Sequence, residues 1–316
     1  MPHIETVSFD PEPHPSWAGC AVALGNFDGV HLGHRELLCH LRQMADRHEA
    51  IALAVTFHPH PAEVLANKRP RRLMPIEDRV NALLAAGIDA VWVVPFTREL
   101  ATVSAEEYIE ETLLQKLSMC GFVAGPDTRF GARRAGGAAL LREYARRVGF
   151  DLEVLTPFEL NGERVSSSAI RCLLEEGDMG RAAAWLGHPY RLKGKVVHGM
   201  QVGRKLGFPT ANLELGRDIL VPAKGIYVVR VRMGNDARHA PTLDGVANVG
   251  TRPTLDDGPL MVEAHLFDIE EDLYGQSITI ELLLRLRNEE KYDSLDELKA
   301  AIAEDVRMAR AWLQRS

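Results

Sequence analysis

The hydrophobic pattern of this 316-residue chain changes once, near residue 190, and this change constrains the fold more than any other feature. Before it, short apolar runs alternate with amphipathic stretches of helical period. After it, short strand-like runs are separated by Gly, Pro and Asp turns. The chain is also about twice as long as a typical domain. We therefore predict two domains, residues 1–187 and residues 188–316.

Alternation of strands and helices in the first half predicts a parallel sheet with helices on both faces. Ser104 and Glu107 have the spacing of a capping box, so we expect one of the helices to begin there. The predicted strands are Cys20–Leu24, Ile51–Phe57, Ala90–Pro95, Gly121–Ala124 and Leu152–Leu155, and the predicted helices are His34–Arg47, Pro75–Ala86 and Ser104–Leu117.

The second half predicts a small antiparallel barrel followed by one long helix. In its last strand, Ile278–Leu286, apolar residues at every second position fall on one face. Ser294 and Glu297 form a second capping box, at the start of the C-terminal helix. The predicted strands are Gly194–Val197, Tyr227–Arg232, Gly245–Val249, Val262–Phe267 and Ile278–Leu286.

Composition narrows the functional classes. The net charge of -7 disfavours extended nucleic-acid binding, which needs a basic face, but it does not exclude ATP. No apolar run approaches the roughly 20 residues of a membrane helix, and the first residues do not resemble a secretory signal. The four cysteines lie far apart without a CxxC pair, which favours reduced thiols in a cytoplasmic protein. The oligomeric state is left open.

A loop rich in glycine and histidine joins the first predicted strand to the first long helix. Its sequence, from Gly25 to His34, is GNFDGVHLGH. Gly29 and Gly33 let the backbone turn tightly and approach a ligand. The following helix N-terminus offers free N–H groups to a phosphate, and His31 and His34 can donate hydrogen bonds as charge develops there. The alternative is a glycine turn with two surface histidines, which H-x-G-H directly after a strand disfavours.

Two further segments accompany this loop. Ser166–Arg171, SSSAIR, follows the fifth predicted strand and opens a helix. Alone it would be an ordinary helix cap with an exposed arginine, but beside the H-x-G-H loop it predicts a second contact to a triphosphate. His58 and His60 flank a proline at a strand end, where a loop lining the nucleotide is a better interpretation than a zinc site.

A second candidate site lies in GRKLGFPTAN, from Gly203 to Asn212. Gly207 and Pro209 favour a turn, and Thr210 and Asn212 alternate on an extended segment, so their side chains project to one side. A hydroxyl and an amide oxygen are hard ligands suited to Mg²⁺ bound with nucleotide phosphates. The alternative is a plain turn between two barrel strands.

The first half resembles the nucleotidyltransferase superfamily and, more closely, the FAD synthetase module of prokaryotic bifunctional riboflavin kinase/FAD synthetases. The stretches that carry the resemblance are GNFDGVHLGH, TFHPHP, FTRELATVSAEEYIEE, VAGPDTRFGARRAGG and SSSAIR. This resemblance implies a Rossmann-like sheet, ATP held near the H-x-G-H loop with His31 and His34 catalytic, and attack on the α-phosphate with Mg²⁺ present. The implied ATP-binding residues are Gly25, Phe27, Asp28, Gly33, Ser166, Ser167 and Arg171.

In that family the loop G-x-D-F-x-F-G lies on the flavin side. It maps here onto Gly125, Asp127, Phe130 and Gly131, of which the last three are the implied flavin-binding residues. Thr128 stands where the family has Phe. The loss of an aromatic surface there is typically worth about 1 kcal/mol, so we expect weaker flavin binding at this site.

The second half resembles riboflavin kinase throughout. The matching segments are Gly194–Leu213, Pro222–Tyr227, Asn248–Thr254, Val262–Leu266 and Asp272–Gly275. The resemblance implies that Gly203, Lys205, Thr210 and Asn212 bind ATP, the last two with Mg²⁺, and that Glu263 is the general base for the riboflavin 5′-hydroxyl.

The residues alone give weaker support than the resemblance does for Glu263 as the general base. Glu263 lies in an apolar strand, where burial would raise its pKa, although a lone strand Glu is more often exposed. His265 is on the same face and could orient Glu263 or only pack. Arg287 and Glu289 match the family's L-R-x-E-x-K-F, with Tyr292 in place of Phe.

The sequence therefore predicts a bifunctional enzyme that converts riboflavin and ATP to FMN and ADP, and then FMN and a second ATP to FAD and pyrophosphate. Two alternatives remain at this point. One is a riboflavin kinase with a weakened adenylyltransferase domain, which Thr128 motivates. The other is a flavin-binding regulator without turnover, which the combination of a metal site and a base disfavours.

Overall fold

The computed structural model describes residues 6–66, 70–198, 203, 206–234, 242–251, 260–269 and 273–315. The chain divides into two compact units, Met1–Ser167 and Ser168–Ser316. Our boundary between residues 187 and 188 places two more helices with the first domain, and it stays a prediction. None of the helices in the described ranges is long and apolar enough to cross a membrane.

The first unit is built on a parallel sheet of six strands in the order β1-β4-β3-β2-β5-β6. The chain runs from β2 outward through β3 to β4, and then crosses to β5 on the other side of β2. This reversal makes the carboxyl ends of β2 and β5 a topological switch point, where α/β sheets bind ligands. The strands are β1 (Val7–Ser8), β2 (Ala21–Leu24), β3 (Ala52–His58), β4 (Ala90–Pro95), β5 (Gly121–Ala124) and β6 (Asp151–Val154).

Apolar cores lie on both faces of this sheet. Val22 and Val55 belong to one buried cluster, whereas their neighbours Ala23 and Ala54 belong to the other, as strand alternation requires. The helices of this unit are α1 (Leu32–Arg47), α2 (Pro61–Ala66), α3 (Ile76–Ala85), α4 (Ala105–Glu107) and α5 (Ala138–Val148), and a short hairpin of β7 (Glu159–Leu160) and β8 (Glu163–Arg164) follows β6.

The predicted helix 104–117 has two parts in the structure. The Ser104–Glu107 capping box is present and opens α4. The helix then continues as a π-helix over Tyr108–Lys116. Sequence periodicity does not separate α from π windings over nine residues, so only the helix and its start could be predicted.

The second unit contains a closed antiparallel barrel in the order β10-β13-β12-β11-β14-β9. The barrel has one strand more than the five that we predicted: β10 covers the segment with Asn212, for which the sequence indicated only an extended backbone. The remaining elements are α6 (Ser167–Glu176), which begins at the division between the units, α7 (Met179–Leu186), β9 (Tyr190–Val197), β10 (Ala211–Leu215), β11 (Gly225–Met233), β12 (Thr242–Thr251), β13 (Leu260–Leu266), β14 (Ser277–Arg287) and α8 (Leu295–Leu313).

The apolar residues of β14 do not stay on one face along the whole strand, contrary to our expectation. Ile278, Ile280 and Leu282 are fully buried. Leu284 and Leu286 instead pack against the cluster formed with α8. The pairing of β14 with β11 shifts register at this point, and an extra residue in one strand resets the side-chain alternation.

Helix α8 is tied to the barrel by a buried ion pair. Arg287 donates to both carboxylate oxygens of Asp305, from Nε at 2.8 Å and from Nη2 at 2.7 Å. Asp305 is only 3% exposed, and Arg287 is half-buried. The bidentate geometry fixes the angle between the helix and the end of β14.

Replacing Asp305 with alanine should destabilise the barrel strongly. Removal of Asp305 leaves the half-buried guanidinium with only the more exposed Glu290 carboxylate, 3.6 Å from Nη1, and the loss of such a charge-assisted pair typically costs about 1–3 kcal/mol. Urea unfolding monitored by circular dichroism measures the loss. The control is Glu304→Ala, which removes an exposed pair with Arg307 on the same helix and should change stability little. Equal effects of both variants would contradict a special role for the buried pair.

Two candidate active sites

The loop after β2 has an unusual backbone. Phe27, Gly29 and Val30 all have positive φ, at 48°, 84° and 39°. A Cβ on Gly25 would lie 3.2 Å from the Phe27 ring, so any larger residue there would require the ring to move by a few tenths of an ångström. Non-glycine residues at positive φ cost of order 1–3 kcal/mol and cluster at functional sites. The surrounding structure must therefore hold this loop in shape.

Hydrogen bonds from three other segments hold it. The buried carboxylate of Asp28 accepts from the backbone N–H of Leu73, at 3.0 and 3.1 Å for its two oxygens. Ser167 Oγ donates to the Asp28 carbonyl at 2.8 Å, and Thr56 Oγ1 donates to the Asn26 carbonyl at 3.2 Å. The structure thus brings Ser167 of the predicted serine segment onto the H-x-G-H loop, and the Asp28 carboxylate braces that loop against Leu73.

His31 and His34 lie together at the start of α1. Nδ1 of His31 accepts from the His34 backbone N–H at 3.3 Å and caps the helix. The two rings stack with centroids 3.7 Å apart, and Phe27 packs edge-on against His34 at 5.3 Å. Because Nδ1 of His31 is an acceptor, the proton of its neutral form lies on Nε2. In that neutral form Nε2 is the donor nitrogen of the ring.

Burial lowers the pKa of His34 well below its ordinary 6.5, and the nearby His31 and Arg79 lower it further. His34 is therefore neutral at pH 7. Its Nδ1 is buried and has no hydrogen-bond partner among the described residues. A neutral imidazole has one donor and one acceptor nitrogen, so it can orient a phosphate oxygen without carrying a full charge.

Stability should fall as the pH drops below 6.5, and part of that fall should disappear in His34→Gln. The unfolded chain protonates this histidine near pH 6.5, whereas the folded chain does so only at lower pH. The free energy of unfolding then decreases by up to about 1.4 kcal/mol per pH unit below 6.5. Urea unfolding at pH 7.5 and 5.5 tests this, with an NMR titration of the histidine rings. A His34 ring that titrates at 6.5 would contradict it.

Gly33 lies at the first turn of α1 in close contact with its surroundings. A Cβ there would be 3.2 Å from Cβ of Phe158 and 3.4 Å from the His31 ring. Ser166 immediately precedes α6 and is half-buried. Arg171 lies on α6 within the second compact unit, so its predicted phosphate contact stays a prediction.

The predicted flavin loop follows β5, whose Val123 pairs with Ala23 of β2, so both loops leave the same edge of the sheet. Phe130 is 6% exposed and packs at 5.9 Å from Tyr108. Gly131 has φ 70°, and a Cβ there would meet Ala105.

The other two residues of this loop differ in exposure. Asp127 is exposed and pairs with Arg164, whereas Thr128 is buried and its N–H donates to the Gly125 carbonyl at 3.2 Å. Phe130 and Gly131 thus shape the loop, and Asp127 is its accessible acidic group. The flavin contacts of all three stay predictions.

The second site lies on three neighbouring barrel strands. Glu263 on β13 is the direct partner of Asn212 on β10 and of Asn248 on β12. Paired residues in antiparallel strands project from the same face. Their sequence neighbours Ala264 and Ala211 are buried inside the barrel, so the polar residues project outward. Sequence reasoning missed Asn248, although its N-x-G pattern was part of the resemblance.

Asn212 is 4% exposed, and its Oδ1 has no hydrogen-bond partner among the described residues. A buried acceptor oxygen without a protein donor fits a hard cation such as Mg²⁺. Thr210, two residues earlier, is half-buried. The turn before it is tight, because Phe208 N–H donates to the Gly203 carbonyl at 2.8 Å and a Cβ on Gly203 would collide with the Phe208 carbonyl. Lys205 lies outside the described residues.

His265 has a different neighbour from the one considered in the sequence. Its Nδ1 donates to the Pro209 carbonyl at 2.9 Å, and its ring packs edge-on against Phe208 at 5.3 Å. It therefore holds the turn that leads into Thr210. Sequence spacing placed His265 on the face of Glu263 but could not identify this contact across strands.

Comparison with known proteins decides between the interpretations. The family model of FAD synthetase matches residues 14–169, and that of riboflavin kinase matches residues 186–313. Proteins named bifunctional riboflavin kinase/FMN adenylyltransferase are similar over almost their whole length. The one from Haemophilus influenzae is 41% identical over 295 residues, 93% of this chain and 94% of its own. The one from Escherichia coli K12 is 41% identical over 293 residues, 92% of each.

This chain belongs to the bifunctional riboflavin kinase/FMN adenylyltransferase family. A solved structure from Streptococcus pneumoniae, titled a macrolide-efflux protein, superposes with a TM-score of 0.87 at 28% identity and covers 98% of this chain and 100% of its own. The predicted fold, a Rossmann-like nucleotidyltransferase domain followed by an antiparallel barrel and a C-terminal helix, is confirmed. The prediction of a bifunctional enzyme rather than a kinase alone or a regulator is also confirmed.

Proposed function

We propose that the barrel converts riboflavin and ATP to FMN and ADP, and that the parallel-sheet unit converts FMN and ATP to FAD and pyrophosphate. One observation carries this proposal. A braced H-x-G-H loop at the switch point of a parallel sheet and an outward row of Asn212 and Glu263 on a closed barrel occur in one chain. ATP is the co-substrate of both reactions.

In the adenylyl-transfer reaction, a phosphate oxygen of FMN attacks the α-phosphorus of ATP. The bond from that phosphorus to the bridging oxygen of the β-phosphate breaks, and pyrophosphate leaves. The N-terminus of α1 and the imidazole N–H groups of His31 and His34 stabilise the charge that develops on the phosphate oxygens. Asp28 and Ser167 keep the loop in position. Ser166 and Arg171 provide further contacts to the triphosphate.

In the kinase reaction, Glu263 accepts the proton of the riboflavin 5′-hydroxyl, whose oxygen attacks the γ-phosphorus of ATP and releases ADP. Thr210 and Asn212 would hold Mg²⁺, with Asn212 offering the buried oxygen described above. When bound, the ion neutralises charge on the phosphates. Gly203 and Lys205 complete the nucleotide contacts.

The proposal also includes a cytoplasmic location for the enzyme and small molecules as its substrates. All four cysteines are free thiols, which supports a cytoplasmic location. The net charge of -7 supports small-molecule substrates rather than nucleic acid as the partners.

A product assay tests the proposal directly. The purified chain is incubated with riboflavin, ATP and Mg²⁺, and flavins are separated by chromatography over time. FMN should appear first and FAD should follow from it. FMN without FAD would remove the adenylyltransferase half, and neither product would remove both halves.

A further inference from the structure

With Asn248 included, the outward row on the barrel contains two acceptor oxygens that flank the proposed general base, Glu263. Glu263 lies between Asn212 and Asn248 in strand register. Like Asn212 Oδ1, Asn248 Oδ1 is buried and has no hydrogen-bond partner among the described residues. An unsatisfied buried acceptor typically costs about 1–3 kcal/mol. A pair of such oxygens beside a carboxylate indicates a ligand that brings hydrogen-bond donors or a cation.

The other end of the Asn248 amide has a partner. Its Nδ2 donates to Glu289 Oε1 at 3.5 Å. The Glu289 carboxylate occupies the space above Gly250, where any Cβ would collide with it. With Nδ2 directed to Glu289, the amide oxygen is directed away from it. Glu289 therefore orients Asn248.

The order Asn212, Glu263, Asn248 across the three strands indicates which side of Glu263 faces the nucleotide and which faces the alcohol. Phosphoryl transfer takes place between the nucleotide and the hydroxyl at Glu263, so the alcohol lies on the side of Glu263 opposite the nucleotide. Asn212 belongs to the nucleotide side in the proposed function. Neighbouring strands are about 4.8 Å apart, which is within reach of further hydroxyls on a polyol chain.

We propose that Asn248 is a substrate-positioning residue whose Oδ1 accepts a hydrogen bond from a hydroxyl of the riboflavin sugar-alcohol chain, and that Glu289 positions Asn248. The inference rests on the proposed kinase function. It assigns to Asn248 selectivity for the alcohol substrate and none for ATP.

Asn248→Ala should raise the KM for riboflavin about tenfold, which corresponds to about 1.4 kcal/mol, and leave the KM for ATP unchanged. Riboflavin binding in the presence of ADP and Mg²⁺, followed by quenching of flavin fluorescence, should weaken by the same factor. FAD formation from supplied FMN should stay normal, which controls for folding of the other unit. Unchanged riboflavin affinity, or equal weakening of riboflavin and ATP, would overturn the assignment.

Variants of Glu289 test the positioning role without altering Asn248. Glu289→Gln keeps an acceptor oxygen and should retain riboflavin affinity, whereas Glu289→Ala should weaken it about threefold. The neighbouring exposed Glu290→Ala is the matched control and should have no effect. Loss of affinity in Glu289→Gln equal to that in Glu289→Ala would contradict the hydrogen bond. If the unaltered chain forms no FMN, the proposed function itself fails; normal FMN formation with normal riboflavin affinity in Asn248→Ala removes only this inference.

Discussion

Replacing Glu263 with alanine should abolish FMN formation while FAD formation from supplied FMN continues at its normal rate. General-base catalysis contributes about 100- to 10,000-fold, so the kinase rate should fall by a factor in that range. The other reaction should be spared because the H-x-G-H loop follows a strand of a separate sheet in the other compact unit. Chromatographic product assays with riboflavin and with FMN as alternative substrates measure the two rates.

Two controls separate loss of the base from damage to the barrel. Glu263→Gln keeps the size of the side chain but removes its basicity, so it should be as inactive as the alanine variant. Glu214→Ala changes an exposed glutamate on the neighbouring strand β10 and should leave both rates unchanged. A Glu263→Gln variant with substantial kinase activity would show that Glu263 is not the base.

The sequence predicted the elements of each site better than their mutual arrangement. The H-x-G-H loop is contiguous, so its position after a strand and before a helix follows from local pattern alone. Its contact with Ser167 could be anticipated only from the two segments' shared preference for phosphate. The switch point between β2 and β5 depends on strand order, which local sequence does not specify.

The barrel site shows the same limit more sharply. Thr210 and Asn212 were predicted from alternation on one segment, and Glu263 from its motif. The row that joins Asn212 and Glu263 to Asn248 arises from the register of three strands that lie far apart in sequence. A one-residue slip would turn each side chain to the opposite face. The place of Asn248 beside Glu263 and the contact of His265 with Pro209 were missed because both depend on this register.

Replacing His31 with alanine should abolish FAD formation while FMN accumulates. A donor aimed at developing phosphate charge is typically worth about 100- to 1,000-fold in kcat. The stacked His34 ring is neutral at pH 7 and would be left without its neighbour, so the remaining imidazole cannot supply the lost donor at the same place. Time courses with FMN and ATP measure the loss, and riboflavin phosphorylation in the same sample reports an intact barrel.

His31 also caps α1, and this second role must be separated from the first. Loss of an N-cap typically costs about 1 kcal/mol of stability, which alone would not abolish turnover. His31→Asn keeps a side chain that caps helices well but lacks the imidazole Nε2–H. We therefore expect His31→Asn to be stable and still inactive in FAD formation. His48→Ala, at the opposite end of the same helix, should be active. Full FAD formation by His31→Asn would mean that His31 serves only the helix, and the phosphate contact would then have to come from His34 and the α1 N-terminus.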